Sequence, residues 1–210
     1  MIKVLIADDH PIVRQGLRQI LSETADMVVA GEASDGREAL AQVQAGDWDV
    51  LVLDITMPER SGLDILKELK QVQPDLPVLV LSIHAEEQLA VRLLKAGAAG
   101  YLTKENAPGE LVKAIRKVLS GGKYVSPTLA ESLAFDLGMD SDKPRHETLS
   151  DREFQVLQLM ADGKTLIEIA EALFLSPKSV STYRHRLLKK LNLKTNSELI
   201  RYAIENGLIE

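Results

Sequence analysis

The sequence predicts an α/β domain, a doubly wound five-stranded parallel sheet, followed by a small all-α domain of four helices. Short, continuously apolar segments alternate with amphipathic segments over residues 1–122. This alternation then stops, and from residue 148 onward one helix-start signal follows another. Continuously apolar strands are typical of parallel sheets, because helices cover both faces of such a sheet.

The elements of the first domain follow from two patterns. Apolar runs predict strands at residues 4–7, 27–30, 50–53, 78–81 and 101–102. Apolar positions at helical spacing predict helices at residues 12–21, 37–43, 63–72, 88–95 and 111–119. Glycine, proline or aspartate bounds each helix, as expected at helix ends.

A change of composition separates the two domains. Residues 123–147 form the predicted linker, in which residues 128–137 are expected to form one helix. The rest of the linker is polar and contains a proline, which favours an irregular connection. We therefore assign residues 1–122 to the first domain and residues 148–210 to the second.

Helix-start signals predict the four helices of the second domain. Three starts have the pattern of a capping box, with a hydroxyl residue three positions before a glutamate. The pairs are Ser150 with Glu153, Thr165 with Glu168, and Thr195 with Glu198. The remaining helix starts at Ser176, which precedes a proline at the first helical position.

Composition excludes several classes of function. The chain has no cysteine, which excludes disulfides, thiol catalysis and thiolate zinc sites. Its 4 histidines are scattered, so any metal is expected to have oxygen ligands. Apolar runs fall far short of the roughly 20 residues that span a bilayer, and no signal peptide is evident at the start. We expect a cytoplasmic protein that does not interact with membranes.

Polar residues follow the predicted strands at the edge where such sheets bind ligands. Asp8 and Asp9 follow the first strand, Asp54 the third and Ser82 the fourth, and Lys104 comes shortly after the fifth. Mg²⁺ prefers carboxylate oxygens, and a lysine and a hydroxyl can hold phosphoryl oxygens. The set therefore predicts a site for Mg²⁺ and a phosphoryl group.

Each of these residues alone has an ordinary explanation. Asp8 and Asp9 could cap the helix that begins near Pro11, and Asp54 could be a loop acid. Lys104 alone is uninformative. Coincidence explains the whole set much less readily than any single member.

One predicted helix in the second domain has a cationic face. Residues 178–194 contain six lysines and arginines and no acid. The helix follows a shorter one after a tight turn, which is the layout of a helix-turn-helix. In that motif the second helix enters the DNA major groove. A solvated charged surface is the alternative interpretation.

The segments LIADDH, LVLDITMPERSG, VLVLSIHAEE and AAGYLTKE resemble the receiver domain of two-component response regulators. The resemblance covers residues 1–122 and implies a flavodoxin-like fold. It implies that Asp54 is the phosphoacceptor and that Ser82 and Lys104 bind the phosphoryl group. It also implies that Mg²⁺ is held by Asp8, Asp9, Asp54 and the backbone carbonyl of Thr56. Tyr101 is then an aromatic switch.

Residues 149–209 resemble the LuxR-type helix-turn-helix, so the whole chain is similar to response regulators of the NarL/FixJ class. The resemblance implies that Ser181, Thr182 and His185 read base edges. Charge and helix face add Lys178, Arg184, Arg186 and Lys189 as phosphate contacts. The last helix offers a dimer face of Leu199, Ile200, Ala203 and Ile204, for which packing onto the domain core is the alternative.

The expected function is a transcription factor that a sensor histidine kinase switches by Mg²⁺-dependent phosphorylation of Asp54. Expected partners are the kinase, double-stranded promoter DNA, a second copy of the chain after phosphorylation and RNA polymerase. We expect no enzyme activity beyond self-phosphotransfer and autodephosphorylation at Asp54. The alternatives are a constitutive DNA-binding regulator with a pseudo-receiver and, more distantly, an aspartyl-phosphate phosphohydrolase.

Overall fold

The chain divides into two compact units, Met1–Ser132 and Leu133–Glu210, and the division falls inside the predicted linker. The computed structural model describes residues 1–57, 62–83, 87–127, 129–130 and 144–208. Of the helix predicted at residues 128–137, only residues 129 and 130 lie within the described part, and both are helical.

The first unit is a parallel sheet with helices between its strands, so the predicted fold class is confirmed. The strands are β1 (Ile2–Ala7), β2 (Met27–Ala33), β3 (Val50–Asp54), β4 (Val78–Ser82) and β5 (Gly100–Thr103). The helices are α1 (Pro11–Ser22), α2 (Gly36–Ala45), α3 (Gly62–Val72), α4 (Glu87–Lys95) and α5 (Ala107–Leu119). The strands lie in the order β2-β1-β3-β4-β5, and every pair is parallel.

The strands are longer than their apolar runs predict. β2 continues through Gly31 and Glu32 to Ala33, because its backbone stays paired with β1 as far as Ala7. Its first and last residues are buried and those between them are exposed or half-buried, as expected for an edge strand. An apolar run locates the buried part of a strand but does not show how far its backbone pairs. The sequence therefore underestimates the length of edge strands most, because part of an edge strand is not buried.

The core of this unit explains where its functional edge lies. β1, β3 and β4 are buried along nearly their whole length, including Val4, Val52 and Leu79 with no exposed surface. Helices α1 and α5 pack against this centre through residues such as Leu21 and Ile115. Because the strands are parallel, all their carboxyl ends meet at one edge of the sheet.

The second unit is helical. A short 3-10 helix (Arg145–Thr148) precedes α6 (Asp151–Ala161), α7 (Leu166–Ala172), α8 (Pro177–Leu191) and α9 (Asn196–Glu205). Its core contains Phe154 of α6, Ile169 of α7, and Val180 and Leu187 of α8. Within the described residues of both units, no helix has the length and apolar character needed to cross a membrane.

Two of the three predicted capping boxes form. Ser150 and Thr165 each accept a hydrogen bond from the glutamate backbone N–H three residues on, and each glutamate carboxylate accepts one from the backbone N–H of the cap residue. The third prediction is wrong in part. Thr195 caps α9, but the Glu198 carboxylate accepts from the backbone N–H of Lys194 at 2.6 Å. That donor lies one residue before the cap, so the box does not close.

Asp35 offers a test of local stability, because its carboxylate accepts from the N–H groups of Arg37 and Glu38, both at 2.8 Å. We expect Asp35→Ala to lower the free energy of unfolding by about 1 kcal/mol, the usual loss on removing a helix cap. Urea unfolding followed by fluorescence of Trp48, the only tryptophan, reports on the first unit. Asp47→Ala is the matched control, since that side chain is 95% exposed. Equal losses in both variants would contradict the prediction.

Candidate functional site

Three neighbouring strands of the first unit carry buried polar side chains to the carboxyl edge of the sheet. Asp8 follows β1, while Asp54 ends β3 and Ser82 ends β4. All three side chains are fully buried. The strand order places β3 between β1 and β4, which brings these chain-distant residues to one place.

Lys104 links the two buried carboxylates. Its Nζ lies 2.8 Å from Asp8 Oδ2 and 2.7 Å from Asp54 Oδ2. Burial alone would lower the pKa of Lys104, but the hydrogen bonds and charges of Asp54 and Asp8 outweigh burial and raise it. The ammonium therefore stays charged and compensates two carboxylates that burial would otherwise destabilise.

Thr56 holds the other oxygen of Asp54. Its backbone N–H and its hydroxyl donate to Asp54 Oδ1 at 3.0 and 2.8 Å. The two oxygens of Asp54 thus have different partners, Thr56 on one side and Lys104 on the other. The sequence predicts a role only for the backbone carbonyl of Thr56. No sequence pattern predicts that the Thr56 hydroxyl binds Asp54.

The donor atoms fit a divalent cation. Atoms of Asp8, Asp9, His10 and Asp54 all lie within 4.8 Å of one another. Asp8 Oδ2 and Asp9 Oδ1 are buried, and each has a nitrogen atom 2.8 Å away, Lys104 Nζ for Asp8 and His10 Nδ1 for Asp9. Carboxylate oxygens are the ligands that Mg²⁺ prefers, so Asp8, Asp9 and Asp54 suit this ion.

Two further residues at this site are not predicted by the sequence, His10 and Arg14. His10 Nδ1 lies 2.8 Å from Asp9 Oδ1 and 3.3 Å from Asp8 Oδ1, which makes His10 part of the acidic pocket. Its position directly after Asp9 in the sequence could have indicated that it belongs to the site. Arg14 donates to the carbonyl of Asp8 at 2.6 Å and pairs with Glu32 of β2. Only the fold brings Arg14 and Glu32 together.

Strand β5 joins the predicted switch residue to the predicted phosphoryl site. Tyr101 is 5% exposed and lies three residues before Lys104 on the same strand and loop. The N–H of Lys104 donates to the carbonyl of Ser82 at 2.7 Å, and Thr103 is the register partner of Ser82. A displacement at Ser82 or Lys104 therefore acts directly on the strand that carries Tyr101.

Helix α8 of the second unit has the two faces that the sequence predicts. Val180, Leu187, Leu188 and Leu191 are buried, whereas Tyr183 is only half-buried. The solvent-exposed side chains include most of the proposed DNA contacts, namely Lys178, Ser181, Thr182, His185, Arg186 and Lys189.

Two cations of α8 make contacts within the unit. Arg184 Nε donates to Asn196 Oδ1 at 2.8 Å, which ties α8 to the start of α9. Lys190 Nζ lies 2.6 Å from the buried carboxylate of Glu153 and 3.1 Å from the carbonyl of Thr148. Arg184 was predicted to contact phosphate and that assignment stays a prediction, whereas Lys190 anchors the helix to α6.

The predicted dimer face of α9 is partly wrong. Leu199 and Ala203 have no exposed surface because they belong to the core of their own unit. Ile200 is half-buried, and Ile204 is 61% exposed. Helical spacing identifies an apolar stripe but does not show which part of it the domain itself covers.

Both units match known families. Residues 4–116 match the response regulator receiver domain, and residues 147–203 match the bacterial regulatory proteins of the luxR family. A receiver domain followed by a LuxR-type helix-turn-helix defines the response regulators of the NarL/FixJ class. The chain belongs to this family of two-component, DNA-binding response regulators.

Relatives match over nearly the full length. The chain is 38% identical to response regulator UvrY of Escherichia coli K12, over 99% of this chain and 96% of UvrY. It is 37% identical to response regulator GacA of Pseudomonas aeruginosa, over 100% of this chain and 99% of GacA. The structure of RcsB from Salmonella typhimurium aligns with a TM-score of 0.74 at 28% identity, over 96% of both chains.

We expect Lys104→Met to destabilise the first unit, because it leaves two buried carboxylates without their cation. Removing one partner of a buried charge pair costs roughly 3–5 kcal/mol. Urea unfolding followed by Trp48 fluorescence, in the presence of a chelator, measures the loss. Added Mg²⁺ should restore part of the stability by supplying positive charge to the same oxygens.

Lys95→Met is the control for that experiment, since Lys95 is exposed in the last turn of α4. It should leave both the stability and the response to Mg²⁺ close to those of the native chain. A Lys104→Met variant as stable as Lys95→Met would contradict the assigned role of Lys104.

Substitutions of the neighbouring residues Lys190 and Lys189 are expected to differ in their effect on the stability of α8. Burial alone would raise the pKa of Glu153, but hydrogen bonds from Lys190 and Ser150 outweigh it and lower that pKa. Lys190→Met leaves Glu153 without its cation, so amide exchange in Pro177–Leu191 should accelerate about tenfold, corresponding to roughly 1.4 kcal/mol. Lys189→Met should leave exchange unchanged. Hydrogen exchange with mass spectrometry distinguishes these outcomes.

Proposed function

We propose that this response regulator accepts a phosphoryl group on Asp54 from a sensor histidine kinase and in response regulates transcription from promoter DNA. The observation that carries the proposal is the environment of Asp54. Its carboxylate is fully buried, receives Thr56 on one oxygen and Lys104 on the other, and lies within an acidic cluster that suits Mg²⁺.

In the proposed transfer, a carboxylate oxygen of Asp54 attacks phosphorus while the bond from phosphorus to the kinase histidine breaks. The histidine nitrogen keeps the electron pair of that bond, and Asp54 becomes an acyl phosphate. Bound Mg²⁺, held by Asp8, Asp9, Asp54 and the carbonyl of Thr56, would supply positive charge that reduces repulsion between the carboxylate and the phosphoryl oxygens.

Lys104 and Ser82 receive the new charge in this proposal. The Lys104 ammonium already lies 2.7 Å from Asp54, so a small movement brings it to a phosphoryl oxygen. The hydroxyl of Ser82, at the end of the neighbouring strand, can donate to another. Lys104 then binds Asp8 and Asp54 less closely. Because Lys104 follows β5 in the chain, its movement displaces β5, and Tyr101 on that strand moves with it.

DNA binding is assigned to the exposed face of α8. Ser181, Thr182 and His185 lie there beside the cations Lys178, Arg186 and Lys189. Support comes from the relatives, since RcsB has been solved bound to a promoter in the presence of the phosphomimetic BeF3-. A phosphorylated dimer would place two such helices in successive major grooves, and Ile200 and Ile204 remain available for a dimer face. RNA polymerase is a further proposed partner.

We also propose that the chain lacks an enzyme activity toward other phosphate esters. An aspartyl-phosphate phosphohydrolase needs a general acid two residues after the nucleophile. Thr56 occupies this position, and its hydroxyl donates to Asp54. A threonine hydroxyl is too weak an acid to protonate a leaving group at neutral pH.

Intact mass spectrometry tests phosphorylation directly. After incubation with acetyl phosphate and Mg²⁺, the native chain should gain one labile phosphoryl group. Asp54→Ala and a chelator should each prevent the gain. A folded chain without an adduct, including after incubation with a panel of histidine kinases, would refute the proposal and favour a constitutive DNA-binding regulator.

Base contacts and phosphate contacts predict different responses to substitution. Thr182→Ala and His185→Ala should reduce the preference for a selected duplex over a random one, whereas Lys189→Ala should weaken binding to both alike. If about six phosphates are neutralised, log affinity should fall with log salt at a slope near −5. Fluorescence anisotropy titrations at several salt concentrations measure both effects, and a slope near −1 would contradict the assigned surface.

A further inference from the structure

The chain does not leave the sheet at the end of α5. Tyr124 forms a parallel bridge with Gly100 on β5, the strand at the edge of the sheet. The N–H of Tyr124 donates to the carbonyl of Ala99 at 3.0 Å, and the N–H of Tyr101 donates to the carbonyl of Tyr124 at 2.9 Å. Residues 123–127, here called the strap, are therefore held at the edge of β5 by Tyr124.

Side chains fasten the strap at two further points. Lys123 Nζ donates to the carbonyl of Ala98, and the hydroxyl of Tyr124 donates to the carboxylate of Glu110 on α5. Burial, together with the hydrogen bond and the charge of Glu110, raises the pKa of Tyr124 to about 12. The phenol thus remains protonated and able to donate at physiological pH.

Gly100 is the residue that permits this close pairing. A Cβ atom at position 100 would lie 2.8 Å from the carbonyl oxygen of Tyr124 and 2.9 Å from its Cβ. It would also lie 2.9 Å from Cδ1 of Leu79, a flexible side-chain end that can move away. The strap backbone cannot yield so easily, so any side chain larger than hydrogen pushes it off the strand.

A cavity of about 340 Å³ lies beside the proposed switch residue. Tyr101 and Thr103 of β5 line it, together with Tyr124, Pro127 and Leu129. Tyr101 is almost completely buried, so its ring can change position only into space that already exists. The strap and Leu129 form part of the wall of that space.

We propose that Tyr124 is a positioning residue that transmits the state of the Asp54 site to the segment between the two units. The inference rests on the proposed function. Strand β5 carries Tyr101 and leads to Lys104, which contacts Asp54. A shift of β5 passes to the strap through the two backbone hydrogen bonds of Tyr124, and the bond from its hydroxyl to Glu110 holds the strap in place for this coupling. The strap lies less than ten residues before the boundary between the units.

Gly100→Ala separates this role from phosphorylation, because it displaces Tyr124 and leaves Asp54, Lys104 and Ser82 unchanged. Gly109→Ala is the matched control, since the added Cβ on α5 has no atom within 4 Å. Tyr124→Phe removes only the bond to Glu110 and provides a milder second variant, which decides the question if Gly100→Ala does not fold.

Two quantities are measured on the full chain with acetyl phosphate and Mg²⁺. The first is the yield of phosphoryl adduct on Asp54 by intact mass. The second is the ratio of affinities for a random-sequence duplex with and without acetyl phosphate. In the native chain and in Gly109→Ala, we expect phosphorylation to change affinity about 5-fold or more.

In Gly100→Ala the adduct yield should match that of the native chain, while the affinity ratio falls close to one. Tyr124→Phe should give an intermediate ratio, again with an unchanged yield. A full native ratio in Gly100→Ala, or in Tyr124→Phe if Gly100→Ala does not fold, would overturn the transmitting role alone. A native chain that takes no phosphoryl group would overturn the proposed function, and the transmitting role with it.

Discussion

The ammonium of Lys104 between the carboxylates of Asp8 and Asp54 is the interaction on which the first unit depends. Two fully buried negative charges at adjacent strand ends repel each other and are costly to desolvate. The cation comes from the loop after β5, two strands away from Asp54. The same contact therefore stabilises the sheet and, in the proposed function, couples the position of β5 to the charge at Asp54.

This arrangement bears on the proposed switch. The centre of the sheet is close-packed and apolar, so β1 and β3 have little room to move when the charge at its carboxyl edge changes. β5 is different, because it is short, lies at the edge, and borders a cavity. Its outer side pairs with Tyr124 of the strap. In the proposed switch, a movement of β5 driven by charge therefore acts on the strap.

The second unit uses a similar contact for a different purpose. Glu153 closes the capping box of α6 and also binds Lys190 of α8, so one buried carboxylate sets the position of the cationic helix. Exposed cations such as Lys178 and Lys189 are then held on a fixed surface. Lys190 resembles them in the sequence, and only its contact with Glu153 shows that it stabilises the fold.

The sequence by itself determined the features that depend on local pattern. Alternating apolar runs and helices predicted the parallel sheet, and the strand ends predicted which carboxylates converge. Hydroxyl residues before helices predicted the caps, although Glu198 binds Lys194 because the carboxylate reaches whichever backbone donor is nearest. Tertiary structure decided what depends on pairs of residues that are distant in the chain. Leu199 and Ile204 have the same apolar character, yet one is in the core and the other is exposed, since packing covers only one side of α9. The contacts of Lys190 with Glu153 and of Tyr124 with β5 likewise appear only after folding, because no local pattern encodes which distant backbone or charge a side chain will meet. For Lys104 and Asp54 the strand ends predicted a shared site, and the fold decided that the two side chains touch.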